Sequence, residues 1–394
     1  MPDAFSVAYR SLPPPEVRRL AGERPRMLPA HDLHVPRSRS LPRRTLDGTA
    51  RPTLALALAT TITASVALPA GEQQSDRRGE STVPSTPKLV VQPDLFTPLT
   101  EPPCSYCSTQ HRKGLVDGKE PVIAWLRASH NGGAIPIRHF LAAPRVINDT
   151  YGLFFYDPDG GYVAAFRKDY GYRFHGWRGG VMVAQGPDGT LWSALSGVAF
   201  DGPKKGQHLE RVASVVTTWE HWLMLHPEST AYDLFDGKKY PRAPLPVTLS
   251  DGARESMGAV DPRLGAETSV LGVTVRGVAK AYPLDPETER ASFLDEVAGE
   301  PIAVLWYGPT TSAVAFHREV EGSRLTLRAD SVSPETAPFR DDETGTRWTI
   351  AGRGVDGPLR GKELRWVDSI QCRWYAWTVE HPKTELWAPP ASER

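Results

Sequence analysis

Short apolar runs separated by turn residues dominate the chain from about residue 120 onward. In its first part these runs are PVIAWLRAS (121–129), GAIPIRHF (133–140), GLFFYD (152–157), GYVAAFR (161–167) and GGVMVAQ (179–185). Apolar and β-branched runs of this length, bounded by Gly, Pro, Asp and Asn, are typical of β-strands and hairpins. The pattern therefore predicts a fold dominated by antiparallel sheet.

The second part of the chain repeats this pattern. Its runs are SVLGVTVRG (269–277), AKAYPL (279–284), PIAVLWY (301–307), SAVAFHREV (312–320) and RLTLRA (324–329). Two segments in each part look helical instead. The first is short, at Val146 to Asp149 and at Ser292 to Val297, and the second carries a cluster of tryptophans.

The tryptophan segments are TTWEHWLMLHPES (217–229) and CRWYAWTVEHPKT (372–384). On a helix, the spacing places the two tryptophans and the histidine of each segment on one face. These residues are Trp219, Trp222 and His226 in the first segment, and Trp374, Trp377 and His381 in the second. A proline follows each histidine, which predicts that the helix ends there and that the helix dipole favours the protonated imidazole.

The two parts align with each other at an offset of 155 residues. Between 197–227 and 352–382, 12 of 31 positions are identical without a gap, where ordinary amino-acid usage gives about two. The identities are mainly turn-forming Gly, Asp and Pro, and bulky Leu, Val and Trp. We therefore predict an α+β fold, mainly antiparallel β, made of two tandem homologous domains, 95–240 and 247–394. Each domain closes with a short Trp-rich helix that packs against its own sheet.

The residues before these domains have a different composition. Residues 1–50 are rich in Arg and Pro and poor in aromatics, which predicts a disordered leader. Residues 51–70 form an uncharged, moderately apolar run after a basic stretch, which resembles an export signal, and 71–94 has the composition of a polar linker. We expect an exported, periplasmic or extracellular protein with no stable membrane span after signal cleavage. A single-pass anchor and a disordered Ala/Thr stretch are the alternatives.

The balance of charge gives no indication of a polyanionic partner. The 46 basic side chains equal the 46 acidic ones, and the pI is about 7.2. We therefore expect no nucleic-acid partner.

Three cysteines are the clearest candidates for metal or redox chemistry. Cys104, Cys107 and His111 lie in CSYCSTQH, a spacing that suits a metal ion or a tight disulfide. Cys372 is the third cysteine, and it could complete either arrangement. A structural disulfide is at least as good an interpretation as a metal site.

Other polar residues give weaker signals. YDPDGG (156–161) lacks the Gly and Glu positions of a calcium-binding EF-hand loop and predicts a type I turn. His139, Asn148, Asp149 and His175 could converge on a pocket, but isolated polar residues beside strands usually satisfy the fold. The chain has no His-Glu-x-x-His, Gly-x-Ser-x-Gly, P-loop or Gly-x-Gly-x-x-Gly motif.

The chain resembles a bacterial family of unknown function, DUF3179, whose members carry blocks similar to ARAYPL, TGSLW, GPLAGT and WFAW…HPDT. The corresponding blocks are AKAYPL (279–284), VAGEPIAVLWYGPTTSAVAF (297–316), DETGTRW (342–348), DGPLRGKEL (356–364) and WYAWTVEHPKTELW (374–387), with PVIAW (121–125), VINDTYG (146–152) and DGTLWSALSGVAFDGP (188–203) in the first part. The resemblance covers about 115–390 as two degenerate copies, and it implies no particular reaction. Where the family often has YCPLC, this chain reads Tyr156-Asp157-Pro158-Asp159-Gly160 and Tyr307-Gly308-Pro309-Thr310-Thr311, without either cysteine.

Two hypotheses of function remain. The first is a non-catalytic binding or interaction module, with an unknown ligand or protein as partner and clefts lined by the paired tryptophans and His226 or His381. Against this use of the tryptophans stands a structural interpretation, which we favour, in which the rings pack on the sheet and the imidazole satisfies a loop carbonyl. The second hypothesis is an extracytoplasmic enzyme with a site in the first repeat, either metal-dependent, with the ion at Cys104, Cys107 and His111, or metal-independent.

Overall fold

The strands of the first part form three sheets. In the computed structural model, the residues described are 87–102, 116–125, 133–138, 140, 145–227, 229 and 249–389. The strands in chain order are β1 (Leu89–Val91), β2 (Leu99–Thr100), β3 (Pro121–Trp125), β4 (Gly133–Pro136), β5 (Val146–Asp149), β6 (Gly152–Asp157), β7 (Tyr162–Phe166), β8 (Arg173–Arg178), β9 (Val181–Gln185), β10 (Leu191–Ser193), β11 (Ala199–Asp201) and β12 (Ser214–Thr218). The sheet orders are β1-β8-β9-β10-β11, β2-β5-β6-β7 and β12-β3-β4, and only β2 and β5 pair in parallel. Helix α1 (Trp219–Leu225) follows β12 directly.

The second part begins with helix α2 (Asp251–Ser256) and ends beyond helix α3 (Trp374–Glu380). Its strands are β13 (Ser269–Val275), β14 (Val278–Pro283), β15 (Arg290–Val297), β16 (Glu300–Tyr307), β17 (Ser312–His317), β18 (Glu319–Val320), β19 (Ser323–Arg324), β20 (Leu327–Ala329), β21 (Phe339–Asp341), β22 (Arg347–Trp348), β23 (Ser369–Arg373) and β24 (Glu385–Leu386). They form the sheets β23-β13-β14-β24, β15-β16-β17 and β20-β21-β22 and the hairpin β18-β19, and a 3₁₀ turn (Gly308–Thr310) joins β16 to β17. The prediction of a mainly antiparallel β-rich α+β fold is confirmed.

The central strands are apolar at consecutive positions because both of their faces are buried. On β6, Phe154 packs into one hydrophobic cluster and Phe155 into another. On β16, Val304 and Leu305 do the same. Since neighbouring side chains of a strand point to opposite sides of the sheet, uninterrupted runs such as GLFFYD and PIAVLWY fill two cores at once.

Two of the four hydrophobic clusters combine residues from both parts of the chain. One joins Trp374 and Trp377 of α3 to Phe155 and Trp192 of the first part. The other joins the tryptophans of α1 to β16, β17 and β22 of the second part. All these residues belong to one compact unit that extends from residue 77 to 394, and the predicted boundary between repeat domains falls inside it.

Direct contacts show the same crossing. The Tyr375 hydroxyl donates to the Gly180 carbonyl at 3.3 Å, and the Arg373 N–H donates to the Gly160 carbonyl at 2.8 Å. Each helix does pack on its own sheet, as predicted, α1 on β12-β3-β4 and α3 on β23 and β13, but the prediction did not include the contact with the other part. The reason lies in the small sheets: β5 to β7 already cover one face of β12-β3-β4. The helix lies on the opposite face, which the other part covers.

Equivalent backbone contacts occur in both parts. The N–H groups of Val212 and Val367 donate to Ala165 and Ala315 at 3.0 and 2.9 Å. Isolated bridges recur in the same way, at Phe166–Arg211 and Phe316–Trp366, and at Val198–His208 and Arg353–Glu363. Residues that match at the 155-residue offset, such as Val212 and Val367, therefore occupy similar local structures.

Local predictions fail in three respects: two segments predicted as helices are strands, the predicted linker ends early, and helix α2 is not predicted. Val146 to Asp149 and Ser292 to Val297 are strands, not helices, because each is one arm of a tight hairpin. In the second hairpin Ala298 and Gly299, with φ of 50° and 77°, form the two-residue turn. The predicted linker also ends early, since β1 pairs with β8.

The third miss is α2, which the apolar pattern did not predict. Its N-cap is Ser250, whose hydroxyl accepts from the Ala253 N–H, and Asp251 follows in the first turn, where a negative charge suits the helix dipole. Across the stretches with described structure, no helix is long and apolar enough to cross a membrane.

Candidate functional site

The two tryptophan helices end in the same hydrogen-bonded turn. The N–H groups of His226 and His381 donate to the carbonyls of Trp222 and Trp377 at 2.8 and 2.9 Å. The histidine carbonyls then accept from the N–H groups three residues later, each at 2.9 Å. In both turns an indole N–H closes the structure: Trp222 Nε1 donates to Ser229 Oγ at 2.6 Å, and Trp377 Nε1 donates to Thr384 Oγ1 at 2.8 Å.

The four tryptophans are part of the core. Trp219, Trp222 and Trp374 are 0% exposed and Trp377 is 2% exposed, so the structural interpretation of these rings is confirmed. The histidines behave differently from that interpretation. Each imidazole stacks on the preceding indole, at 4.1 Å in the first helix and 4.0 Å in the second, and neither one bonds to a carbonyl of a described residue.

Both helix-end histidines are neutral at pH 7. Burial lowers the pKa of His226 to about 4, with a further contribution from Arg353, and it lowers the pKa of His381 to about 4, with a contribution from Arg211. The prediction of protonated imidazoles is wrong, because a helix dipole contributes only about 0.3–1 kcal/mol, which is less than one pKa unit. Desolvation is the larger effect here.

A cavity of about 350 Å³ opens at the end of α1. The helix contributes Met224, Leu225 and His226, and the second part contributes the opposite wall. The residues of that wall are Thr336, Thr349, Arg353, Gly354, Val355, Arg360 and Gly361. Of the six predicted ligand-binding residues, His226 is the one that lines this cavity, while the indole rings lie behind it in the core.

The end of α3 has different side chains at the corresponding positions. Val198 stands 155 residues before Arg353, and Glu380 stands 155 residues after Leu225. Glu380 is occupied within the chain, because its Oε2 accepts from Ser196 Oγ at 2.6 Å. The two helix ends are therefore alike in backbone and unlike in chemistry.

Two buried carboxylates lie where β6 turns into β7. Asp157 and Asp159, 1% and 3% exposed, belong to the turn between β6 and β7. The Asp159 carboxylate accepts from the Ser250 N–H and hydroxyl, both at 2.7 Å, and from Trp177 Nε1 at 3.2 Å. Asp157 Oδ2 accepts from the Met182 N–H at 2.9 Å, and burial, then the Asp159 charge, raise the pKa of Asp157. Asp159 thus holds the N-cap of α2 against the first part, and Asp157 bonds within the first part.

That role escapes sequence reasoning. The pattern YDPDGG predicts a turn, which the structure has, but an acidic turn is normally exposed. The sequence around Asp159 does not indicate that Ser250 is its hydrogen-bond partner, because 91 residues separate Asp159 from Ser250.

The remaining candidates do not form a site in the described residues. Asn148 is used structurally, since its side chain bonds to the backbone N–H and carbonyl of Tyr172, each at 3.0 Å. Cys104, Cys107, His111 and His139 lie outside the described residues. Cys372 is a free thiol in the shared core, and burial raises its pKa. In the described ranges, no group of three His, Cys, Asp or Glu side chains could hold a metal ion.

Comparison with known families assigns the chain. A family model described as a protein of unknown function, DUF3179, matches residues 181–384, slightly more than half of the 394 residues. The chain belongs to the DUF3179 family. No curated protein and no solved structure matches it. The DUF3179 match runs from β9 to Thr384, so it includes α1, its histidine and the whole opposite wall of the cavity.

Proposed function

We propose that this DUF3179 protein is a non-catalytic module that binds a small ligand in the cavity at the end of α1. The observation that carries the proposal is the cavity itself, which His226 and the loop 349–361 enclose from opposite parts of the chain. Its volume of about 350 Å³ lies within the usual range for small-molecule sites, about 300–1,000 Å³. The neutral imidazole adds one hydrogen-bonding group to an otherwise mixed wall.

Exposed apolar side chains support the same location. The described residues expose seven large apolar side chains, and two of them, Met224 and Val355, line this cavity. They are 47% and 37% exposed. Apolar surface left open beside a concave site is typical of ligand binding.

We further propose that the two parts descend from one duplicated unit, with repeat domains at 95–240 and 247–394. The 12 identities in 31 positions support this origin. So do the matched hydrogen bonds of Val212 and Val367, and of Leu209 and Leu364 with Gly197 and Gly352 at 2.9 and 2.8 Å. In this proposal one helix end diverged into the ligand site and the other kept an internal contact.

The proposed place of action is outside the cytoplasm. This part of the proposal rests on the basic and then apolar pattern of residues 39–70 and on the small residues that end it. Residues 51–70 lie outside the described structure. Fractionation of cells that express the full chain, with N-terminal sequencing of the product, tests both export and cleavage.

A screen with a blocked cavity tests ligand binding. The full chain is screened by ligand-observed NMR against a fragment library with equal shares of anionic, neutral and cationic compounds. Val355→Trp fills the cavity from its exposed rim, and Val332→Trp, at a position 84% exposed and outside the cavity, is the matched control. We expect fragments that bind the wild type and Val332→Trp but not Val355→Trp. If no fragment shows this pattern, the cavity is not a binding site.

A further inference from the structure

Two arginines supply the only formal charges among the described residues that line the cavity. Arg353 is partly buried and Arg360 is exposed. Neither guanidinium forms an ion pair with a described residue, whereas the nearby Arg347 of β22 does, with Asp356 at 2.8 Å. None of the ten lining residues is acidic. The site therefore carries positive charge that the described protein leaves uncompensated.

The remaining polar groups suit a carboxylate more than a cation. His226 is neutral and so does not repel a positive ligand, but Arg353 and Arg360 do. The Thr336 hydroxyl has no hydrogen bond to a described residue. Arginine presents a planar fork of donors that matches a carboxylate in two parallel hydrogen bonds.

The other helix end shows which group this location accommodates. There the chain places its own carboxylate, that of Glu380, at the position of Leu225, and Ser196 donates to it at 2.6 Å. At the cavity an apolar residue replaces that acid, and an arginine replaces Val198. One end thus contains an internal carboxylate, and the other has an open volume with Arg353 on its wall.

We propose that the cavity binds a small organic acid, with its carboxylate on Arg353 and Arg360 and its apolar part against Met224 and Val355. This inference rests on the proposed function, because it specifies the ligand class of the same site. The exposed Met224 and Val355 side chains call for an apolar group beside the acid, and the volume limits its size.

Three probes of similar size, one anionic, one neutral and one cationic, test how the charge of the ligand affects its affinity. Hexanoate, its isosteric amide hexanamide, and hexylammonium are titrated into the full chain, and binding to the cavity is defined as binding that Val355→Trp abolishes. We expect hexanoate to bind about tenfold tighter than hexanamide, because an arginine–carboxylate ion pair is stronger than a hydrogen bond from arginine to a neutral amide. Hexylammonium should bind most weakly.

Arg353→Val installs the residue found at the other helix end and tests the assignment of the arginine. It should remove most of the preference for hexanoate and weaken hexanamide less than hexanoate, and Arg360→Val should weaken hexanoate less than Arg353→Val does, because Arg360 is more exposed. Arg167→Val is the charge-matched control, since Arg167 is 71% exposed and its ion pair with Glu210 lies away from the cavity. Thermal unfolding confirms that each variant folds.

The outcomes separate the two proposals. Equal affinities for hexanoate and hexanamide, tighter binding of hexylammonium, or an unchanged preference in Arg353→Val would overturn the ligand class. So would the absence of cavity binding by all three probes. None of these results removes the proposed function, which stands or falls on whether the fragment screen finds ligands sensitive to Val355→Trp.

Discussion

The crossed packing of α3 on the first part can be tested at Gly180. This glycine follows Gly179 in the turn between β8 and β9, with φ of 83°. A Cβ added there would lie 2.7 Å from Tyr375 Cε2 and 2.9 Å from Met257 Cγ, both from the second part. Tyr375 is 1% exposed and cannot move aside without disturbing the shared core.

Gly189 is the matched control because it has the same backbone strain without the contact. Its φ is 84°, it also lies in a hairpin turn, and nothing lies within 4 Å of its Cβ position. Gly189→Ala should cost about 1–2 kcal/mol, the price of the left-handed conformation. Gly180→Ala should cost about 1–3 kcal/mol more, the usual effect of overpacking a core.

The assay is urea unfolding of the full chain, with the free energy of unfolding taken by linear extrapolation. Tyr375→Leu removes the Cε2 atom. The double variant Gly180→Ala with Tyr375→Leu should therefore lose less free energy of unfolding than the sum of the losses of the two single variants. Equal losses for Gly180→Ala and Gly189→Ala, or strict additivity with Tyr375→Leu, would refute the packing of α3 against the first part.

Three further predictions address the core and the buried acids. Trp374→Ala should lower the free energy of unfolding by about 3–5 kcal/mol, because the ring is 0% exposed and its Nε1 donates to the Asp261 carbonyl at 3.0 Å; a loss below about 1 kcal/mol in urea unfolding would contradict this. Burial raises the pKa of Asp149 to about 6. Between about pH 4 and pH 6 the Asp149 carboxyl is therefore protonated in the folded state and ionised in the unfolded state, so the free energy of unfolding falls as the pH rises through this window. Thermal unfolding of Asp149→Asn should therefore lack this fall and show higher stability than the wild type at pH 7.5, and parallel pH profiles would disprove it. Cys372, 2% exposed and with its pKa raised by burial, should be alkylated by iodoacetamide only after unfolding, as peptide mass mapping would show; labelling in the native protein would mean that the thiol is accessible.

The elements could be predicted from sequence where the signal is local. Runs such as GLFFYD and SVLGVTVRG are strands because their turn residues lie next to them, and both tryptophan helices end at the predicted histidines. Of the two hairpins whose first strand is predicted as a helix, the one formed by β15 and β16 carries a local signal in Gly299, which accepts the positive φ of a two-residue turn.

The partners of these elements could not be predicted, because they depend on contacts between distant residues. The uninterrupted apolar runs of β6 and β16 indicate that both faces of each strand are buried, but not which core each face enters. The site depends on the same kind of information: His226 was a candidate from sequence, whereas Arg353 and Arg360 lie more than 120 residues away and form part of a turn-rich loop. The 155-residue offset did contain one usable signal, since Arg353 and Leu225 both differ in polarity from their equivalents, Val198 and Glu380.

The crossed packing also explains why the cavity lies where it does. Because α1 buries its tryptophans between its own sheet and the second part, its C-terminal histidine faces a loop of the second part. A site formed in this way requires both parts to be folded, and its two walls can diverge independently of the buried rings that hold them. At the end of α3 the same geometry closes on an internal hydrogen bond between Ser196 and Glu380. The difference between an occupied and an open helix end therefore needs only a few side-chain changes on a shared framework. For this reason we assign ligand binding to the residues that differ between the ends of α1 and α3, and stability to the tryptophans that are the same in both helices.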